Sequence, residues 1–470
     1  MPDFDIVAIG AGAAGLSVTA IAAQLRQKVL LVERHQMGGD CLNTGCVPSK
    51  ALLAASKRLR AVRDAARFGA VVPQAGLSWD AVRGYVHDVV ATIAPVDSVA
   101  RYAGLGATVR IGEARFADPE SILLDGRRIT ARRFVIAAGS RAAVPAVEGL
   151  GEVPYWTNET LFDLSVQPEH LLILGGGPIG LEMADAFAGL GCRVTLIEAG
   201  RIAPREDPEL AGGLRLALAA RRVTFREQAA VTRVLPGPVL VLADGERLSG
   251  SHLLVATGRR PNLEGLGLDA GNIQAGPNGI VVDAGLRSVT NRRVFVAGDI
   301  ADPVGLGARA FTHVASHHAG IVLRRMLFHL PGRVNYAALP RVTYTDPELA
   351  QTGLTEAEAA AAGLNPRLLR WSLADNDRAQ ADGDTAGLVK LVLDGKRIVG
   401  AGILAPQAGE MISLWSLAIG QRIPVSALAE LIVPYPTRSE AGKRAAASFF
   451  APMLFSNRTR TLVRALACLP

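Results

Sequence analysis

Two cysteines, Cys41 and Cys46, lie in the segment Gly38-Gly39-Asp40-Cys41-Leu42-Asn43-Thr44-Gly45-Cys46-Val47-Pro48-Ser49-Lys50. A C-x4-C pair can open and close a disulfide, provided one sulfur is available as the nucleophilic thiolate. The run Ala51-Leu-Leu-Ala-Ala-Ser that follows reads as a helix, which places Cys46 near its N-terminus. There the helix dipole lowers a thiol pKa, and Lys50, one turn on, adds positive charge. This spacing is too long for one face of a regular helix, but an irregular first turn through Gly45 can bring the sulfurs together. A zinc site would need two more Cys or His at suitable spacing. His313, His317 and His318 form the one cluster on offer; they read as polar and packing residues of one helix, so no metal site is expected.

The elements that must position this pair are duplicated. Asp5-Ile-Val-Ala-Ile-Gly10-Ala-Gly12-Ala-Ala-Gly15 is a strand entering G-x-G-x-x-G, and Val29-Leu-Leu-Val-Glu33 is a strand ending in a carboxylate. The plan returns in Leu171-Leu-Ile-Leu-Gly175-Gly-Gly177-Pro-Ile-Gly180 and Val194-Thr-Leu-Ile-Glu198. In both copies the carboxylate follows the first glycine by 23 positions. Strand, glycines, helix and acid in this order make a dinucleotide-binding fingerprint: a tight turn, close backbone approach to a pyrophosphate, and a helix N-terminus that favours the anion. Each copy continues into a hairpin signal, Asp125-Gly126 or Asp244-Gly245. Each then ends in a buried strand and glycine turn, Phe134-Val-Ile-Ala-Ala-Gly139-Ser140 or Leu253-Leu-Val-Ala-Thr-Gly258-Arg259. Between fingerprint and turn the first copy is 46 residues longer, and the cysteines lie in that insertion.

A chain of 470 residues exceeds what one hydrophobic core supports, so several domains are expected. With 49% hydrophobic and 20% charged residues it is an ordinary globular composition. The net charge of +7 comes with only six lysines, and the arginines are scattered between apolar stretches. That pattern describes a solvated surface, and no nucleic-acid partner is expected. No apolar run approaches the ~20 residues of a bilayer span. A strand-like run starts at Phe4, leaving no room for a signal peptide, and four cysteines are too few for a disulfide framework. A cytoplasmic location is the expectation. Cys192 reads as buried filler and Cys468 as a tail residue.

The sequence resembles the pyridine nucleotide-disulfide oxidoreductases, the family of dihydrolipoamide dehydrogenase, glutathione reductase and mercuric reductase. The resemblance covers essentially the whole chain. It implies an α/β fold with two Rossmann-like domains, for FAD and NAD(P), and a C-terminal α+β domain that makes a homodimer. The expected divisions are a FAD-binding domain carrying the disulfide insertion (1–147), an NAD(P)-binding domain (148–268), a return segment (269–335) and a dimerisation domain (336–470). By resemblance, Gly10, Gly12, Gly15, Glu33, Gly139, Lys50, Asp299 and Thr312 serve FAD. Gly175, Gly177, Gly180, Glu198 and Gly258 serve the nicotinamide nucleotide. Cys41 is similar to the interchange thiol and Cys46 to the charge-transfer thiol, with Lys50 near flavin N5 and Glu182 the carboxylate paired with it.

Glu198 favours NADH, because a carboxylate accepts from a ribose 2′-OH and repels a 2′-phosphate; Arg201 and Arg205 keep NADPH open. At the C-terminus the family carries His, Pro-Thr and then Glu as a proton shuttle. This chain has Tyr435-Pro436-Thr437-Arg438-Ser439-Glu440. A tyrosine, with an ordinary pKa near ~10, is a poor base but a serviceable donor. The main reading is a dihydrolipoamide dehydrogenase-like enzyme acting on a disulfide or thiophilic acceptor. A mercuric reductase-like metal-ion reductase is the alternative, with Cys468 alone where those enzymes carry vicinal cysteines. Readings of other classes are a quinone or metal reductase that bypasses the thiols, and a flavoprotein that only binds a partner. The apolar and basic tail Phe449-Phe-Ala-Pro-Met-Leu-Phe455 with Arg458, Arg460 and Arg464 is read as packing at a dimer interface rather than as a membrane contact.

Overall fold

The computed structural model describes residues 1–71 and 76–469. Contacts divide the chain into two compact units: residues 1–174 with 231–334, and residues 175–230 with 335–470.

The first unit is built on β1 (Phe4–Ile9), whose last four residues are fully buried. It lies between β2 (Val29–Glu33) and β6 (Arg127–Ile136), parallel to both, and β3 (Thr108–Ile111) extends the sheet beyond β2. The strand Val294–Val296 joins parallel to β6 on the far side. Strands buried on both faces read as continuous apolar runs, and this holds for Ile6–Ile9 of β1 and Val29–Val32 of β2, while β6 is apolar and buried without a break only at its end, Phe134–Ile136. Helix α1 (Ala13–Gln24) follows β1 through the glycine turn and packs against the helix Thr312–Leu327. Asp125 and Gly126 both take positive φ, 50° and 80°, and join β5 (Ser121–Leu124) to β6 in the two-residue hairpin expected there.

Two further strands, His170–Leu174 and His252–Val255, pair in parallel within this unit. Ser140–Ala142 and Arg259–Pro261 form an antiparallel ribbon, so the two glycine turns read from the sequence, at Gly139 and Gly258, lie side by side.

In the second unit Arg193–Ile197 pairs in parallel with Val223–Arg226. The helix Pro178–Gly189 starts directly after Gly177 and buries nine of its twelve residues. A five-stranded antiparallel sheet runs in the order Arg341–Thr343, Glu348–Gly353, Arg397–Ala405, Leu388–Asp394, Arg367–Ser372. Its core of Val389, Leu391, Ile403, Ile412 and Trp415 includes side chains from the helix Ala408–Gly420. Lys390 is 4% exposed within the sheet and pairs with Asp207 at 2.8 Å and Glu209 at 3.0 Å. Cys192 is buried, as expected of a filler residue. Among the described residues no helix is long and apolar enough to cross a membrane.

Candidate active site

The cysteine segment folds as two helices with a break between them. Helix α2 (Gly39–Asn43) carries Cys41, the chain turns at Thr44 and Gly45, and α3 (Cys46–Asp64) begins on Cys46 itself. The turn needs glycine, since a Cβ at Gly45 would lie 2.8 Å from the Asp40 carbonyl oxygen. This is the irregular turn through Gly45 that the spacing left open, and it brings the two thiols into hydrogen-bond contact.

Cys46 occupies the first position of a nineteen-residue helix whose N-cap offers no side-chain bond. Its sulfur also lies 3.4 Å from the Thr312 hydroxyl, at the first position of the helix Thr312–Leu327. Two helix N-termini, each with partial positive charge, therefore meet at Cys46. Cys41 is held far above the ordinary thiol range, first by its hydrogen bond with Cys46, then by burial, then by negative charge on Cys46 and on Asp40.

Asp40 anchors this loop. Its carboxylate accepts from the Thr44 hydroxyl at 2.8 Å and from Asn158 Nδ2 at 3.0 Å, and it pairs with Arg259 at 3.0 Å. Asn158 also donates to the Thr44 carbonyl at 3.2 Å. Arg259 spans further: its Nε donates to Ser140 Oγ at 2.8 Å and its terminal nitrogen to Ser140 O at 2.9 Å. Ser140 in turn donates to Asp299 at 2.6 Å. Burial raises the Asp299 pKa, against the opposing pull of Ser140 and Arg259. Asp40, Asn158, Ser140 and Arg259 were not singled out from the sequence. The available signal was adjacency, since Asp40 precedes Cys41 and Arg259 and Ser140 each follow a glycine that was.

The two fingerprints carry the same hydrogen bonds. Glu33 accepts from Ala11 N at 2.7 Å and from His35 N at 2.9 Å. Glu198 accepts from Gly176 N at 2.6 Å and from Gly200 N at 2.9 Å. Each carboxylate thus holds its own glycine turn closed. Gly10 and Gly175 take φ of 104° and 117°, a region that favours glycine. A Cβ at Gly15 would lie 1.9 Å from the Gly10 carbonyl oxygen, so helix and turn can close only on glycine. At Gly12 and Gly177, by contrast, a Cβ would meet nothing nearer than 3.9 Å. Both are N-caps without a side-chain bond, and neither helix has an acid in its first turn. Open surface over helix N–H groups suits the pyrophosphate of a dinucleotide.

Lys50 is half-buried on the second turn of α3. Glu182, in the second unit, is buried and accepts the Tyr344 N–H at 3.0 Å. Tyr435 is exposed, and its hydroxyl donates to Asp377 at 2.8 Å. That bond, with the Asp377 charge behind it, raises the tyrosine pKa above its usual value. Glu440 is bound by Arg444 at 2.8 Å within the helix Ser439–Ala447. His318 is fully buried and its Nδ1 accepts the Gly298 N–H at 3.2 Å, a packing role as expected. No cluster of metal-ligating side chains occurs among the described residues.

Residues 4–319 match the family model described as pyridine nucleotide-disulphide oxidoreductase, and residues 339–446 match the dimerisation domain of that family. The chain belongs to the pyridine nucleotide-disulphide oxidoreductases. It is 37% identical to a mercuric reductase of Streptomyces lividans over 95% of this chain and 96% of that one. It is 33% identical to a dihydrolipoyl dehydrogenase of Thermus scotoductus over 95% and 97% of the two chains. A Cu(II) complex of RclA, an HOCl-induced flavoprotein disulfide reductase from Escherichia coli, superposes with a TM-score of 0.83 at 26% identity, covering 93% of this chain and 98% of that chain. The oxidoreductase is accordingly a FAD-dependent enzyme that uses a pyridine nucleotide, with a C-terminal dimerisation domain.

Proposed function

We propose that this oxidoreductase takes electrons from NADH and delivers them through the Cys41–Cys46 pair to a soft metal cation in preference to a disulfide. Gly10, Gly12, Gly15, Glu33, Gly139, Asp299 and Thr312 would hold FAD, with Lys50 beside its reactive edge. When bound, FAD supplies the passage of an electron pair from nicotinamide to disulfide. Gly175, Gly177, Gly180 and Glu198 would hold the nucleotide. The Arg201 guanidinium donates to the carbonyls of Pro204 and Glu206, at 2.9 and 3.3 Å, which ties it to its own loop. Together with the charge of Glu198 this supports NADH over NADPH.

Two electrons and two protons convert the disulfide to the dithiol. Two helix N-termini then favour the thiolate on Cys46, and the other proton stays on Cys41. For a disulfide acceptor, Cys41 must lose that proton before its sulfur attacks, which requires a base. A soft divalent cation needs none. Bound by both sulfurs, Hg(II) displaces the Cys41 proton to water and takes the electron pair of a further NADH to become Hg(0), the proton of that NADH returning to Cys41; two Cu(II) would take one electron each. The observation that carries this preference is the Tyr435–Asp377 hydrogen bond, which keeps the phenol protonated and a donor, with still less phenolate to serve as a base near neutral pH. The name of the Streptomyces relative fits a cation acceptor, while the name of the Thermus relative and the description of RclA as a disulfide reductase fit a disulfide.

The test is NADH consumption by the FAD-loaded enzyme with Hg(II), Cu(II), lipoamide and glutathione disulfide, each without oxygen. Rates with a cation at least tenfold above those with either disulfide, and lost in Cys41→Ser, are expected. Faster turnover of a disulfide would reverse the preference. Full rates in both Cys41→Ser and Cys46→Ser would show that the thiols are bypassed.

A further inference from the structure

The final helix, Asn457–Leu466, is specified by its own sequence. The Ser456 hydroxyl caps it by accepting the Thr459 N–H at 3.2 Å, and the Thr459 hydroxyl donates to the Met453 carbonyl at 2.8 Å. No residue of the helix is buried, and Thr459 alone is partly covered. Leu462, Val463 and Leu466 stand 57, 57 and 52% exposed. At helical spacing these three share one side, while Arg460 and Arg464, four apart, share another. The turn before it adds Met453, Leu454 and Phe455, all exposed.

Charge distinguishes the surfaces that could cover this face. From Ala447 to the last residue the sequence holds Arg458, Arg460 and Arg464 and not one Asp or Glu. Pairing the segment with itself across a two-fold axis would gather its arginines with no Asp or Glu of the segment to offset their charge. The match to the dimerisation domain also ends at residue 446, before this segment starts. An apolar stripe flanked by arginines, in a helix too short to span, is the pattern of a segment that lies in a lipid headgroup layer.

We infer that Met453–Leu466 docks on an anionic phospholipid surface, its apolar side set into the headgroup boundary and its arginines against the phosphates. This replaces the reading of the tail as dimer packing. It stands apart from the choice of electron acceptor, because the thiols and both fingerprints lie elsewhere in the sequence.

The test is co-sedimentation of the FAD-loaded full chain with vesicles of phosphatidylcholine alone or mixed with phosphatidylglycerol, at low and at high salt. Binding to the mixed vesicles alone, weakened by salt, is expected. Replacing all three arginines, Arg458→Gln with Arg460→Gln and Arg464→Gln, should weaken it roughly a hundredfold, at about a factor of five per charge. Leu462→Glu with Leu466→Glu should abolish it, with flavin absorbance and NADH oxidation retained as the sign of an intact fold. Two outcomes overturn the inference: wild-type protein left in the supernatant with both vesicles at low salt, or a leucine variant whose mass by light scattering falls to that of one chain. The second outcome assigns the face to a second copy.

Discussion

The Arg259 guanidinium lies 3.0 Å from the Asp40 carboxylate, tying the residue before Cys41 to the residue after Gly258. The ion pair is partly buried, and Arg259 also donates to both oxygens of Ser140. Arg259→Met would leave Asp40 with the Asn158 and Thr44 bonds alone. We expect a loss of about 1–2 kcal/mol, given a charged hydrogen bond that is partly screened by solvent. Thermal unfolding of the FAD-loaded protein measures it, and an unchanged midpoint would show that the pair holds nothing.

Asp40 also acts on the thiol beside it, since its negative charge is one of the causes that raise Cys41. Asp40→Asn removes that charge while keeping an acceptor for Thr44. The Cys41 thiolate then becomes easier to form, so alkylation of Cys41 by iodoacetamide should set in at lower pH than in the wild type. The same onset in both proteins would contradict this.

Glu198 closes the second glycine turn through Gly176 and Gly200. Glu198→Ala removes both bonds and the repulsion toward a 2′-phosphate. The ratio of kcat/KM for NADH over NADPH should fall by roughly tenfold, the worth of about 1.4 kcal/mol. Steady-state kinetics with both nucleotides decides it.

Tyr435→His would install a group with an ordinary pKa near ~6.5 where Asp377 now binds a phenol. A positioned general base contributes roughly 10²–10⁴-fold. Reduction of lipoamide or glutathione disulfide should rise at least tenfold, on a pH profile that climbs as the imidazole becomes neutral. Tyr435→Phe should leave the disulfide rates low.

His318 is held neutral by burial and by His317, with its pKa lowered to about 4. In the unfolded chain it titrates near ~6.5, so between these values the unfolded state binds the extra proton. Its contribution is complete above about pH 6.5 and is lost as pH falls through about 4, a difference of order 3 kcal/mol. Stability measured across this window should drop with acid, and the slope should be smaller in His318→Gln. An identical slope would remove His318 from the account.

Much of this architecture was legible because it is local. Gly10, Gly15 and Glu33, and their counterparts at Gly175 and Glu198, answer to fixed distances along the chain, and the Asp125-Gly126 hairpin needs only two residues of positive φ. Helix geometry pointed to a break at Gly45 as the way to join the two sulfurs. What spacing could not reveal are the partners that arrive from distant segments. Asp40 reads as a polar loop residue until Asn158 and Arg259 are beside it. The carboxylates of Glu33 and Glu198 read as ribose acceptors, while their bonds to the turn N–H groups emerge only in three dimensions. Lys390, in an apolar strand, gave no hint of the Asp207 and Glu209 carboxylates that let it be buried. The exposed phenol of Tyr435 was flagged as a departure from the family pattern, yet its Asp377 partner was not.

The central claim is that electrons from NADH reach Cys41 and Cys46. Counting thiols with a disulfide reagent in denaturant, before and after reduction of the air-oxidised, FAD-loaded enzyme by NADH without oxygen, tests it directly. The account predicts a gain of two thiols per chain in the wild type, those of Cys41 and Cys46, and no gain in Cys46→Ser. An unchanged count in the wild type, with NADH consumed, would contradict it.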